Sequence, residues 1–139
     1  MANENGTNFA ANNNSTSNNK RLLIVDDERE FGDFVKTVAE GMDYEVTVTE
    51  KASDFQRSYN ETTPSVIILD MVMPGVDGVE LINWLAQEKC TAKIIVVTGF
   101  NPRYIELAED LGGAKGLPDI STLTKPVALA DLRQALSYS

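Results

Sequence analysis

"VIILDMVMPGVDG" spans Val66 to Gly78, and its reading decides the fold. Four apolar residues run straight into Asp70, and the chain then breaks at Pro74-Gly75. A short apolar run bounded by turn residues reads as a buried strand. Apolar residues at every position, rather than at alternate ones, imply a strand covered on both faces, as in a parallel sheet. Buried strands do not usually finish on a charge without a use for it.

The same texture recurs outward in both directions. "RLLIVDD" begins at Arg21 and ends on Asp26-Asp27, and "KIIVVTG" begins at Lys93 and reaches Thr98-Gly99. "EVTVTE" alternates, and "ISTL" is short and is followed by Lys125-Pro126. Helical patterns separate these strands. Phe31, Phe34, Val35, Val38, Ala39 and Met42 recur at three- and four-residue steps, which predicts an amphipathic helix ending near Gly41. "ASDFQRSYN" and "GVELINWLAQE" read as further helices, with Gly78 near the start of the second. Asn101-Pro102 suits a helix start, and "RYIELAEDLGG" offers glycines for its C-cap. "ALADLRQALSY" makes a last helix. Five strands alternating with helices predict an α/β domain, a doubly wound parallel sheet with right-handed crossovers.

The 139 residues suffice for one domain with a real core, and residues 20–139 are assigned to it. Residues 1–19, rich in Asn, Ser, Thr and Ala, read as a disordered polar tail, or alternatively a docking or localisation arm. A net charge of -9 argues against nucleic acid as a partner. No stretch approaches the roughly 18 apolar residues of a membrane span, and no signal-peptide pattern opens the chain. With Cys90 as the single cysteine, a reducing cytoplasm is the expected compartment. Histidine is absent, which excludes histidine bases, histidine metal ligands and a phosphohistidine on this chain. Met71, Met73, Trp84 and Cys90 read as packing residues.

In doubly wound sheets, ligands bind beyond the carboxyl ends of the strands. Asp26, Asp27, Asp70, Thr98 and Lys125 all fall at such ends. If the first and third strands are neighbours, three carboxylates converge, and they repel unless a cation joins them. Magnesium, a hard cation wanting oxygen ligands, is the natural guest. A plainer reading makes each Asp a cap for the turn that follows it; it serves for one Asp better than for the whole set.

This constellation resembles the CheY-like receiver domain of two-component response regulators, over about Arg21 to Tyr138. The matching pieces are Asp26-Asp27 after "LLIV", Asp70 in "LDMVMPGVDG", Thr98 in "VVTG" and Lys125-Pro126 in "LTKP". The resemblance implies a flavodoxin-like sheet of order 2-1-3-4-5 with helices on both faces. It implies Asp70 as phosphoacceptor, Thr98 and Lys125 as phosphoryl ligands, and a cis Lys125-Pro126 bond. It also implies a magnesium site in which Asp27 binds directly, Asp26 mainly through water, and Asp70 and the Val72 carbonyl supply further oxygens. The implied partners are a sensor histidine kinase or histidine phosphotransfer protein and a downstream protein target; the implied role is signalling rather than enzymatic turnover.

Two features depart from the family pattern. Thr122 stands where an aromatic switch residue is usual, three before the lysine. The connection "GGAKGLPDISTL" also looks several residues longer than usual. Thr98-Gly99-Phe100 resembles a subgroup with a Thr-Gly-aromatic signature, in which Phe100 could serve as the switch; the alternative is a ring that packs the loop. The rival reading is a pseudo-receiver that binds partners without phosphorylation. A phosphatase with an Asp-x-Asp nucleophile is disfavoured by "VDDER". A flavodoxin is disfavoured because no Ser/Thr-Gly-rich loop follows the first strand.

Overall fold

The computed structural model describes residues 20–73, 76–99, 103, 106, 110, 113, 116–117 and 120–137. The tail 1–19, Pro74-Gly75, Phe100 and Asn101-Pro102 lie outside the described residues, as does most of the enlarged connection before Ile120.

Strands β1 (Arg21–Val25), β2 (Glu45–Thr49), β3 (Val66–Asp70), β4 (Lys93–Thr98) and β5 (Ile120–Thr124) form one sheet in the order β2-β1-β3-β4-β5. Every pairing is parallel. Helices α1 (Arg29–Glu40), α2 (Ala52–Thr62) and α3 (Gly78–Gln87) and the C-terminal helix Leu129–Ser137 complete the alternation. Arg103, Glu106, Asp110 and Gly113 are helical, as expected for the stretch between β4 and β5. Gly113, one of the glycines expected at the C-cap, is itself helical, and among the described residues Gly116 is the glycine with a left-handed φ, at 78°.

Side chains alternate across a strand, so each strand feeds two cores. Leu23, Val25, Ile67, Leu69, Ile94 and Val96 pack against Phe55 of α2 and Leu81, Ile82 and Leu85 of α3. Leu22, Ile24, Val66, Ile68, Ile95 and Val97 pack against Val35 and Ala39 of α1 and Leu132 and Leu136 of the C-terminal helix. Both faces of the sheet are thus covered by helices. The central strand β3 is buried at every position, whereas β2 and β5 at the edges are only half-covered. Trp84 is partly buried edge-on to Tyr59, and Met71, Met73 and Cys90 are buried packing residues.

This alternation also aims the acidic residues. Asp26 continues the Leu22, Ile24 series, and its amide extends the ladder to the Thr49 carbonyl at 3.1 Å. Asp70 continues the Val66, Ile68 series. Because β1 and β3 are paired neighbours, both carboxylates point to the α1 side of the sheet.

A feature invisible to periodicity follows β3. Val72–Met73 and Val76–Asp77 pair as a two-residue antiparallel ribbon; Pro74-Gly75, where a turn was expected, lies outside the described residues. Gly78 then opens α3 hard against the strand end. A Cβ there would lie 2.6 Å from the Met71 Cα, a contact that only glycine avoids.

Candidate functional site

The five expected residues come together at the carboxyl edge of the sheet. Asp26, Asp70 and Thr98 are buried and Asp27 is exposed on the rim. One carboxylate oxygen from each of Asp26, Asp27 and Asp70 lies within 4.8 Å of the others. Lys125 reaches in from the end of β5, its amide bonded to the Thr98 carbonyl at 2.8 Å and its bond to Pro126 cis. Its ammonium lies 2.9 Å from Asp26 Oδ2 and 3.5 Å from Asp70 Oδ2. Thr98 shares the edge, but among the described residues its hydroxyl bonds neither the carboxylates nor Lys125.

Each buried Asp divides its two oxygens. Asp26 Oδ1 accepts the Glu28 N–H at 2.8 Å, and Asp70 Oδ1 accepts the Val72 N–H at 3.0 Å. Both are the side-chain turns that Asp makes with the amide two residues on. The plain capping role is therefore real, and it occupies half of each carboxylate. Both Oδ2 atoms remain for Lys125 and for whatever else enters the cleft.

Electrostatics follow from this crowding. Burial pushes the Asp70 carboxyl up to about 6 from 3.8; the Val72 amide opposes the rise, the Asp26 charge adds to it and Lys125 restrains it. Burial also raises Asp26, against the pull of Lys125 and the Glu28 amide. For Lys125, burial works against the ammonium, but Glu28, Asp26 and Asp70 outweigh it and raise its pKa.

The donor set suits a hard divalent cation. Three carboxylate oxygens converge, and Asp26 Oδ2 is buried without an aligned hydrogen bond, its nearest cation being the Lys125 ammonium. Beside the carboxylates an open cleft of about 520 Å³ is lined by Phe31, Phe34, Gly99, Lys125, Pro126 and Val127, with Glu28 and Glu30 at its rim.

Two participants were not singled out in the sequence. Glu28 forms an ion pair with Lys125, and the Phe31 ring lies beneath the same ammonium, 4.7 Å from its centroid. The periodicity alone marks Phe31 as a core-facing helix residue. The signal for Glu28 was its position: glutamate is an unusual residue at a helix N-cap.

The family model of the response regulator receiver domain matches residues 22–137. The chain belongs to this family. Its relatives include the response regulator receiver protein CpdR of Brucella abortus, 29% identical over 107 residues that cover 77% of this chain and 85% of that protein. A protein-glutamate methylesterase/protein-glutamine glutaminase of Myxococcus xanthus is 32% identical over 99 residues, 71% of this chain. The chain spans only 27% of that relative's length. Among solved structures, a CheY-like receiver domain protein of Methanospirillum hungatei is 25% identical with a TM-score of 0.72, over 86% of this chain and 91% of the other. This is a CheY-like receiver domain, with the sheet order that the resemblance implied. Among the described residues, no helix of this receiver is long and apolar enough to cross a membrane.

Proposed function

We propose that this receiver is a phosphoacceptor response regulator of a two-component or phosphorelay system, with Asp70 as the acceptor. The observation that supports this best is the division of the Asp70 carboxylate. Oδ1 is tethered by the Val72 amide, while Oδ2 faces the cleft beside Lys125. A carboxylate fixed in this way is positioned as a nucleophile.

The donor is a phosphohistidine on a sensor histidine kinase or histidine phosphotransfer protein. An Asp70 oxygen forms a bond to phosphorus as the P–N bond breaks; the electron pair stays on the imidazole nitrogen, which takes a proton from solvent. Lys125 ammonium and Thr98 hydroxyl donate hydrogen bonds to the phosphoryl oxygens and spread their charge. Asp26, Asp27, Asp70 and the Val72 carbonyl are the oxygens that would hold magnesium, which supplies further neutralisation of the transferring group. The ring of Phe31 limits water around the ammonium, which strengthens its contacts. The receiver works in the cytoplasm and passes its signal to a protein target by contact, with no nucleic acid in its own site.

Incubation with acetyl phosphate and magnesium, read by intact mass, tests this. The expected result is the gain of one phosphoryl group, lost in Asp70→Asn. A wild-type protein that gains none is a pseudo-receiver.

A further inference from the structure

Glu28 stands at the N-cap of α1, yet among the described residues its carboxylate caps no amide of that helix. The position favours Ser, Thr, Asp or Asn, whose short side chains reach back to the helix. Instead, the Glu28 side chain pairs with Lys125, which reaches in from the end of β5 and lies 97 residues away in sequence. The ammonium also pairs with Asp26 at 2.9 Å and, more loosely, with Asp70 at 3.5 Å. The Glu28 side chain is 62% exposed, against 1% for Asp26, so it is the partner with freedom to move. The backbone beneath it is fixed, because its own amide donates to Asp26 Oδ1.

We propose that Glu28 is a positioning residue for Lys125: it holds the ammonium on the Asp26 side of the cleft, back from Asp70, and yields it when Asp70 carries a phosphoryl group. This rests on the phosphoacceptor reading above. An ammonium has three N–H donors, and in the resting arrangement Glu28 accepts the hydrogen bond while Asp26 and Asp70 attract the ammonium as ion pairs. A phosphoryl group on Asp70 adds strong acceptors on the one side where Lys125 is most loosely held. The exposed Glu28 pair, weakened by solvent, is the one that gives way. Glu28 thus sets the resting place of the lysine without touching the reacting atoms.

Glu30 supplies the control. It lies in the first turn of α1, lines the same cleft and is exposed, but makes no ion pair with Lys125. Glu28→Gln and Glu30→Gln therefore remove the same charge from the same rim, and only the first frees the lysine. Two measurements follow on the full chain. The nitrogen shift and water-exchange rate of the Lys125 ammonium, read by NMR without phosphodonor, should change in Glu28→Gln and not in Glu30→Gln. Phosphorylation by acetyl phosphate with magnesium should then be faster in Glu28→Gln by about two- to fivefold, the rate equivalent of one partly exposed ion pair. Glu30→Gln should match wild type. Unchanged ammonium signals in Glu28→Gln would show that Glu28 does not hold the lysine. Changed signals with an unchanged rate, or equal acceleration by Glu30→Gln, would overturn the release step. Wild type that takes up no phosphoryl group would sink that step together with the phosphoacceptor reading, while the ammonium signals still judge the resting pair.

Discussion

The turn after β1 and the turn after β3 are built alike and serve different ends. In each, an Asp that continues a buried strand folds its Oδ1 onto the amide two residues on, and in each the Oδ2 faces Lys125. They differ by the place of one ammonium, 2.9 Å from Asp26 and 3.5 Å from Asp70. Asp26 is the better neutralised and acts as the anchor. Asp70 is left with a less satisfied charge, and burial pushes its carboxyl up to about 6. Two like local structures thus acquire different charge environments through a long-range contact, which neither turn encodes by itself; on the proposed function, one is the support and the other the phosphoacceptor.

Removing the Asp70 charge should produce the largest change. Asp70→Asn keeps the shape and the Oδ1 acceptor for the Val72 amide but cannot be phosphorylated. It should also stabilise the magnesium-free domain at neutral pH. The folded pKa of about 6 lies above the ordinary 3.8, so the folded state binds more protons between those values. Stability from this group is therefore full below about pH 4 and is lost as pH rises through 6. At pH 7 the penalty relieved is about 3 kcal/mol. Urea denaturation of both proteins across pH 4 to 7 checks this; a gain that does not grow with pH would contradict it.

Removing the ammonium should act in the opposite direction. Lys125→Met keeps most of the stem volume but leaves Asp26 buried with no cation. Breaking a buried pair from one side costs about 3–5 kcal/mol, and the 17% exposure of the lysine side chain reduces this to about 2 kcal/mol. The loss should shrink at lower pH, as Asp26, whose pKa is raised, takes up a proton. Equal losses at every pH would mean that lysine packing against Phe31, rather than its charge, supports the edge.

The two preceding variants probe what was legible in the sequence and what was not. Strand ends could be read because apolar runs stop abruptly at Asp26, Asp70 and Thr98, and the alternation of strands with helices dictates that these ends share an edge. The sheet order and the cis bond at Pro126 came from the resemblance, and the structure has both. Glu28 could not be placed in this way. Its partner is 97 residues away, and no local period reports such a pair. The two-residue ribbon that begins at Val72 is likewise too short to show a period, and the close approach of Gly78 to Met71 depends on tertiary packing. The switch expected at Phe100 lies outside the described residues.

Smaller effects should separate the two adjacent carboxylates after β1. Asp26→Asn removes charge but retains an acceptor for the Glu28 amide, whereas Asp26→Ala removes both. The alanine variant should be the less stable of the two by about 1 kcal/mol, the usual worth of one such bond. Asp27 is exposed, so Asp27→Ala should leave the magnesium-free stability within about 0.5 kcal/mol of wild type. It should nonetheless weaken magnesium binding more than Asp26→Ala does, because the Asp27 carboxylate is not committed to a turn. Calorimetric titration with magnesium, alongside urea denaturation, reads both quantities. Equal magnesium affinities in the two alanine variants would place the ion elsewhere.

The slightest expected effect concerns the lifetime of the phosphorylated form. Val72 follows Asp70 by two residues, its amide holds Asp70 Oδ1, and the residue is 54% exposed. Hydrolysis of an aspartyl phosphate needs a water aligned opposite the Asp70 oxygen, and positioning that water is a large part of catalysing the step. An isopropyl group offers it no hydrogen bond. Val72→Asn keeps the backbone amide and adds both a donor and an acceptor at that place, so decay should quicken a few-fold. Core stability should barely change, since the side chain it replaces is half in solvent. The acceptor turn then matches the anchor turn in one further respect, with a polar residue two places after each Asp: Glu28 after Asp26 and Asn after Asp70. Following the loss of label from phosphorylated protein in a magnesium buffer settles the matter. If the variant decays no faster than wild type, the side chain at this position does not govern water, and the lifetime is set by the cleft around Lys125 instead.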